Sequence, residues 1–179
     1  MKSLIILAAM AGMLKMCSKT PQTSQKCAGS HPDILHSLEQ RVAEDEASDD
    51  SLVVRQAEKF IAQMDVEFTA YNPDLGTCKK LVDLVKDAEI KVIGGNWCSD
   101  TRREVPRMCR VLCEAGLPAS RFSYFKVDRQ KKAVNADFAA EQKVGRVPEF
   151  FVYRNGKLLG SIIETPRVSL EKDLLDLLK

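Results

Sequence analysis

Three observations in the sequence predict an α/β domain. A short apolar run, Ile90-Lys91-Val92-Ile93-Gly94-Gly95, reads as a buried strand and leads directly into a segment of helical periodicity over residues 99–115. A second run, residues 122–128, reads as a core strand after the helix stop Gly116-Leu117-Pro118. Near the C-terminus, residues 148–154 and 158–163 flank Asn155-Gly156, the dipeptide of a tight hairpin, and residues 169–178 then have the spacing of a closing amphipathic helix.

At 179 residues the chain has the length of one domain that can bury a sizeable core. Its formal charge is +2, but Lys2 and Lys15 account for that excess, and the rest carries 25 basic against 25 acidic residues. Such a balance leaves no electrostatic case for a nucleic-acid partner.

Taken in order, Met1-Lys2-Ser3 and the apolar residues 4–14 have the charged start and short apolar core of a secretory signal, too short for a conventional spanning helix. Residues 1–16 are therefore read as a leader and export is expected; a degraded signal or a short buried helix is the alternative. Residues 17–50 contain no aromatic residue and end in the acidic run Glu44-Asp45-Glu46-Ala47-Ser48-Asp49-Asp50, so they read as a polar tether or loosely docked arm. His31 and His36 fall in this stretch without converging carboxylates and read as solvated side chains, not metal ligands.

The folded domain is expected over residues 51–179. Asp50-Ser51 can cap a helix whose apolar face is Leu52, Val53, Ala57, Phe60, Ile61 and Met64. Val66, Phe68 and Ala70 alternate as a short strand would, with continuation of the helix as the alternative, and residues 71–76 form a turn. A second helix fits residues 79–88. Pro106 lies inside the 99–115 helix and should kink it. Residues 135–142 read as a short helix.

Cys98 stands where the strand hands over to the helix N-terminus. Unpaired N–H groups and the positive end of the helix dipole stabilise a thiolate there; Arg102 and Arg103 add to this and Asp100 opposes it. Cys109 and Cys113, four apart on one helix, read as small buried residues. About 1.5 Å per helical residue puts Cys109 on the order of 16 Å from Cys98, beyond disulfide reach. Cys78 is the one internal candidate for resolving a disulfide at Cys98, and Cys27 in the tether is free, pairs with another chain or reaches back.

Trp97-Cys98 closing a strand, with Pro106 eight residues later, resembles the active-site strand and helix of the thioredoxin family. A second match is Val144-Gly145-Arg146-Val147-Pro148-Glu149-Phe150-Phe151-Val152-Tyr153-Arg154-Asn155-Gly156-Lys157, and together the two cover the chain from about residue 90 to its end. The resemblance implies a thioredoxin-like fold: a central mixed sheet flanked by helices on both faces, with Pro148 cis and facing Cys98. It also implies that Trp97 shapes the surface beside the sulfur and that the backbone at Val147, before Pro148, pairs with an extended substrate segment. Cys17, first after the leader and followed by polar residues, resembles the acylated cysteine of a bacterial lipoprotein, although Lys15 and Met16 stand where small residues are usual. That implies membrane anchoring through Cys17, and a periplasmic or membrane-anchored location.

Two departures from the family decide the expected chemistry. Thr101 replaces the resolving cysteine, and Val92 occupies the place of a buried Asp that would help ionise it. What is left is exchange through a single thiol. Cys98 attacks a protein or small-molecule disulfide, Thr101 donates a hydrogen bond to the thiolate, and an external reductant supplies the second thiol; no cofactor or metal is implied. The alternative is a non-catalytic binding module for extended peptide segments. A peroxidase on the same fold is a weaker third reading, because the usual Thr-x-x-Cys order is reversed.

Overall fold

The structure, a computed structural model, describes residues 33–179. The leader, Cys17, Cys27 and His31 lie outside the described residues. Helices α1 (Asp33–Ala43), α2 (Ser51–Ala70) and α3 (Leu75–Leu84) precede strand β1 (Ala88–Gly94). Helix α4 (Ser99–Ala115), β2 (Phe122–Lys126), the hairpin β3 (Glu149–Arg154) and β4 (Lys157–Ile163), and α5 (Leu170–Leu178) follow.

The four strands form a mixed sheet in the order β2-β1-β3-β4. β1 runs parallel to β2, as a helical crossover through α4 permits, and antiparallel to β3, which pairs antiparallel with β4. Asn155 and Gly156 turn the hairpin with φ of 50° and 75°, the left-handed pair that a two-residue turn needs.

Side chains alternate across the sheet and separate two cores. Ile90, Val92, Phe122, Tyr124, Phe150, Val152 and Ile162 join the buried residues of all five helices in one cluster. Ile93, Phe151, Val127 and Ala139 form a second, smaller cluster on the opposite face. The helices thus gather on one face, a correction to the expected cover of helices on both. The other face is closed by the segment 127–147, whose one 3-10 turn, Phe138–Glu141, is all that forms of the helix expected at 135–142. That stretch has only Phe138 and Ala139 to bury, too few for a helix docked along a stripe. Lys91 covers part of this face, its Nζ 5.0 Å from the Phe138 ring centre and 5.2 Å from that of Tyr153.

The largest correction concerns the arm expected over residues 17–50. From Asp33 it is helix α1, with Ile34, Leu35, Leu38 and Val42 buried against α2, α4 and β2. These four share one helical stripe, and each buried aliphatic side chain contributes about 1.5–3 kcal/mol toward the cost of ordering the segment. The folded domain therefore includes residues 33–50.

Two further boundaries differ. Helix α2 continues through Phe68, buried in line with Ala57, Phe60 and Met64, so no strand forms at Val66 to Ala70. Helix α3 starts at Leu75, because Asp74 caps it by accepting from the N–H groups of Gly76 and Thr77. α4 spans the expected residues and ends at Gly116, φ 76°, with the Leu117 N–H bonded to the Leu112 carbonyl. Among the described residues no helix is long and apolar enough to cross a membrane.

Candidate functional site

Cys98 is the N-cap residue of α4, extended at φ −84° and ψ 127°. Its N–H bonds to the Gly95 carbonyl at 2.8 Å, and its own carbonyl accepts the first helical bond from Arg102 at 3.1 Å. The side chain does not cap the helix. It is partly exposed and turns to the facing loop, where the thiol donates to the Val147 carbonyl at 3.4 Å. Val147-Pro148 is the cis peptide bond, and the Pro148 carbonyl accepts the Glu164 N–H at 2.7 Å. The end of β1, the start of α4 and the loop before β3 thus bring Cys98, Val147 and Pro148 together.

Trp97 lies beside them, its indole N–H bonded to the Val127 carbonyl at 3.1 Å and the Arg129 guanidinium 5.6 Å from its ring centre. A Cβ on Gly95 would stand 2.4 Å from the Trp97 ring nitrogen, so only glycine permits this approach.

Thr101 is placed differently from its expected role. It is fully buried, and its hydroxyl accepts from the Gly95 N–H at 3.4 Å. Its partner is thus the backbone at the strand end and not the Cys98 sulfur. The first-turn guanidiniums are also engaged elsewhere: Arg102 with Gln63 and the Asn96 carbonyl, Arg103 with Asp100 and Glu104.

The other described cysteines differ in state. Cys78 is buried, and burial, with the charge of Glu171 adding, pushes its thiol up to about 12. Cys109 is fully buried and desolvation pushes it higher still, so both remain neutral thiols near pH 7. Cys113, expected as a small buried thiol, is partly exposed and disulfide-bonded. His36 lies exposed on α1 against Gln40. Among the described residues no group of three or more His, Cys, Asp or Glu side chains is placed to hold a metal ion.

A buried polar network beneath the site was not anticipated. Lys126 meets Asp45 at 2.5 Å and Glu44 at 3.5 Å. The Asn96 amide donates to Asp45 at 2.7 Å and accepts from the Tyr124 hydroxyl at 3.0 Å. Burial, with Asp45 and Cys98 adding, pushes the Tyr124 phenol well above its ordinary value. Through Asn96 the network holds the backbone that carries Trp97 and Cys98. The available signal was Lys126, a charge inside an apolar strand, which demands a buried partner. Comparison of the chain with protein-family models, curated proteins and solved structures finds no match to any of them.

Proposed function

We propose that the chain is a thioredoxin-like protein that carries out thiol–disulfide exchange through Cys98 alone, with an external thiol completing each cycle. The observation that carries this reading is the setting of Cys98. It is partly exposed at a helix N-cap, 3.4 Å from the Val147 carbonyl and beside the cis Pro148, whereas the other free thiols among the described residues, Cys78 and Cys109, are buried. The strand order, with one parallel and two antiparallel pairings, supports the fold part of the reading.

In the first step the Cys98 thiolate attacks one sulfur of a substrate disulfide. The S–S bond breaks, its electron pair leaves on the second sulfur, which takes up a proton, and Cys98 remains in a mixed disulfide. An external thiolate then attacks the substrate-derived sulfur, returning Cys98 as thiolate and ending in a new disulfide with that substrate fragment. Trp97 walls the site, and the Val147-Pro148 backbone receives an extended substrate segment.

Intact-mass analysis after incubation with hydroxyethyl disulfide tests this. Wild type is expected to gain one mercaptoethanol adduct that an added monothiol removes, and Cys98→Ser to gain none. An unmodified wild type would leave the rival reading, a binding module for extended peptides.

The reading extends to location: an exported protein, periplasmic or anchored through an acylated Cys17. Fatty-acid labelling of wild type but not of Cys17→Ser is expected, and an unlabelled wild type would remove the anchor.

A further inference from the structure

Beside the Cys98 site lies a recess that the exchange chemistry does not use. It is a cavity of about 400 Å³ between the 3-10 turn Glu44–Ala47, the start of α2 and the loop after β2, and Trp97 belongs to its wall. Small-ligand sites typically measure about 300–1,000 Å³.

Its lining combines apolar surface with an excess of carboxylates. Leu52 and Val134 are 46% and 53% exposed, apolar side chains left open to solvent, and the Trp97 indole adds to them. Four carboxylates, on Glu44, Asp45, Asp50 and Asp128, stand against two cations, Lys126 and Arg129. Lys126 is engaged by Asp45 and Glu44, and Glu44 also meets Arg41 at 3.0 Å. Asp50 and Asp128 accept only from backbone N–H groups, those of Leu52 and Lys132, and have no ion-pair partner among the described residues. Lys131 and Lys132, exposed on the same loop, do not line the cavity.

The matching ligand has an aliphatic stem and a cationic tip, which describes a lysine or arginine side chain. Trp97 belongs to the cavity wall and precedes Cys98 in the chain, whereas the Cys98 sulfur turns to Val147 on the other side, so an occupant lies on the β2 side of the exchange site. We propose that this cavity is a specificity pocket for a basic side chain of the client segment that Cys98 attacks. The stem lies against Leu52 and Val134 beside the Trp97 ring, over which the Arg129 guanidinium stands at 5.6 Å, and the charge points away from Arg129 toward Asp50 and Asp128. Calling the occupant a client rests on the exchange reading; the preference for a cation does not.

Trp97 is the one tryptophan of the chain, so its fluorescence reports on the recess. Full-length protein is titrated with cysteine-free, end-capped pentapeptides carrying a central Lys, Arg, Gln or Glu. The Lys and Arg peptides are expected to give a saturable change that high salt weakens, and the Gln and Glu peptides to bind at least about tenfold more weakly. Asp50→Asn with Asp128→Asn keeps both backbone hydrogen bonds and is expected to remove that margin. A flat titration, an equal response to the Gln peptide, or an unchanged margin in the double variant would overturn the pocket. The same titration of Cys98→Ser separates the two readings. Basic-peptide binding without exchange in wild type would sink the exchange chemistry and keep the pocket; exchange with hydroxyethyl disulfide but no preference for basic peptides would sink the pocket alone.

Discussion

Lys126 and Asp45, 81 residues apart in sequence, meet at 2.5 Å beneath the Cys98 loop, with side chains 7% and 18% exposed. The second Asp45 oxygen holds Asn96, Asn96 holds the Tyr124 hydroxyl, and Arg102 holds the Asn96 carbonyl. The turn after α1 is thereby tied to the backbone that carries the reactive cysteine.

Removing one partner of this pair should cost more than removing both. Lys126→Met leaves the Asp45 carboxylate without its cation in a largely closed site. Breaking fully buried pairs costs about 3–5 kcal/mol, and the partial exposure of Asp45 places this loss near or below the lower end. Lys126→Met with Asp45→Leu should recover part of it. Urea unfolding of the three proteins checks this, and equal stability of single and double variants would mean the pair is not coupled.

Alkylation should distinguish the free thiols. Iodoacetamide at neutral pH is expected to modify Cys98 on the folded protein and to leave Cys78 and Cys109, buried and held as neutral thiols, untouched until the domain unfolds. The same burial sets an alkaline limit. A thiol raised in the folded state contributes stability that is fully present below its unfolded value, about 8.5, and for Cys78 is lost as pH rises from there toward about 12. Cys78→Ala should therefore weaken the fall of stability above about pH 9. Peptide mapping and alkaline urea titrations read the two effects.

Truncation tests where the domain begins. A chain starting at residue 51 loses Ile34, Leu35, Leu38 and Val42, uncovers the apolar surface of α2, α4 and β2 against which they are buried, and leaves Lys126 without Asp45. It should show no cooperative thermal transition, whereas a chain starting at residue 33 should keep one. Identical melting of the two would mean that α1 is dispensable.

Thr101→Cys places a thiol one turn into α4 from Cys98 and supplies the resolving step. Insulin reduction with a dithiol reductant should rise about three- to tenfold, no further, because position 101 is closed to solvent and Val92 provides no carboxylate to ionise the new thiol. A rate no higher than wild type would show that the second thiol does not limit turnover.

The sequence by itself determined the local elements that bear on Cys98. The apolar run ending at Gly94, the N-cap at Cys98, the α4 limits and the Asn155-Gly156 turn all follow from periodicity and backbone preference, which act within a few residues. What only the tertiary structure decided depends on partners distant in the chain. Residues 33–47 read as a polar arm because their acidic average outweighs four apolar residues, and the arm folds because α2, α4 and β2 offer a surface for that stripe. Thr101 reads as a partner for the thiolate by its spacing, but the approach of Gly94 and Tyr124 encloses it and turns its hydroxyl to Gly95. The Asp45–Lys126 pair joins two segments whose charges have no meaning for each other until the sheet and α1 are packed.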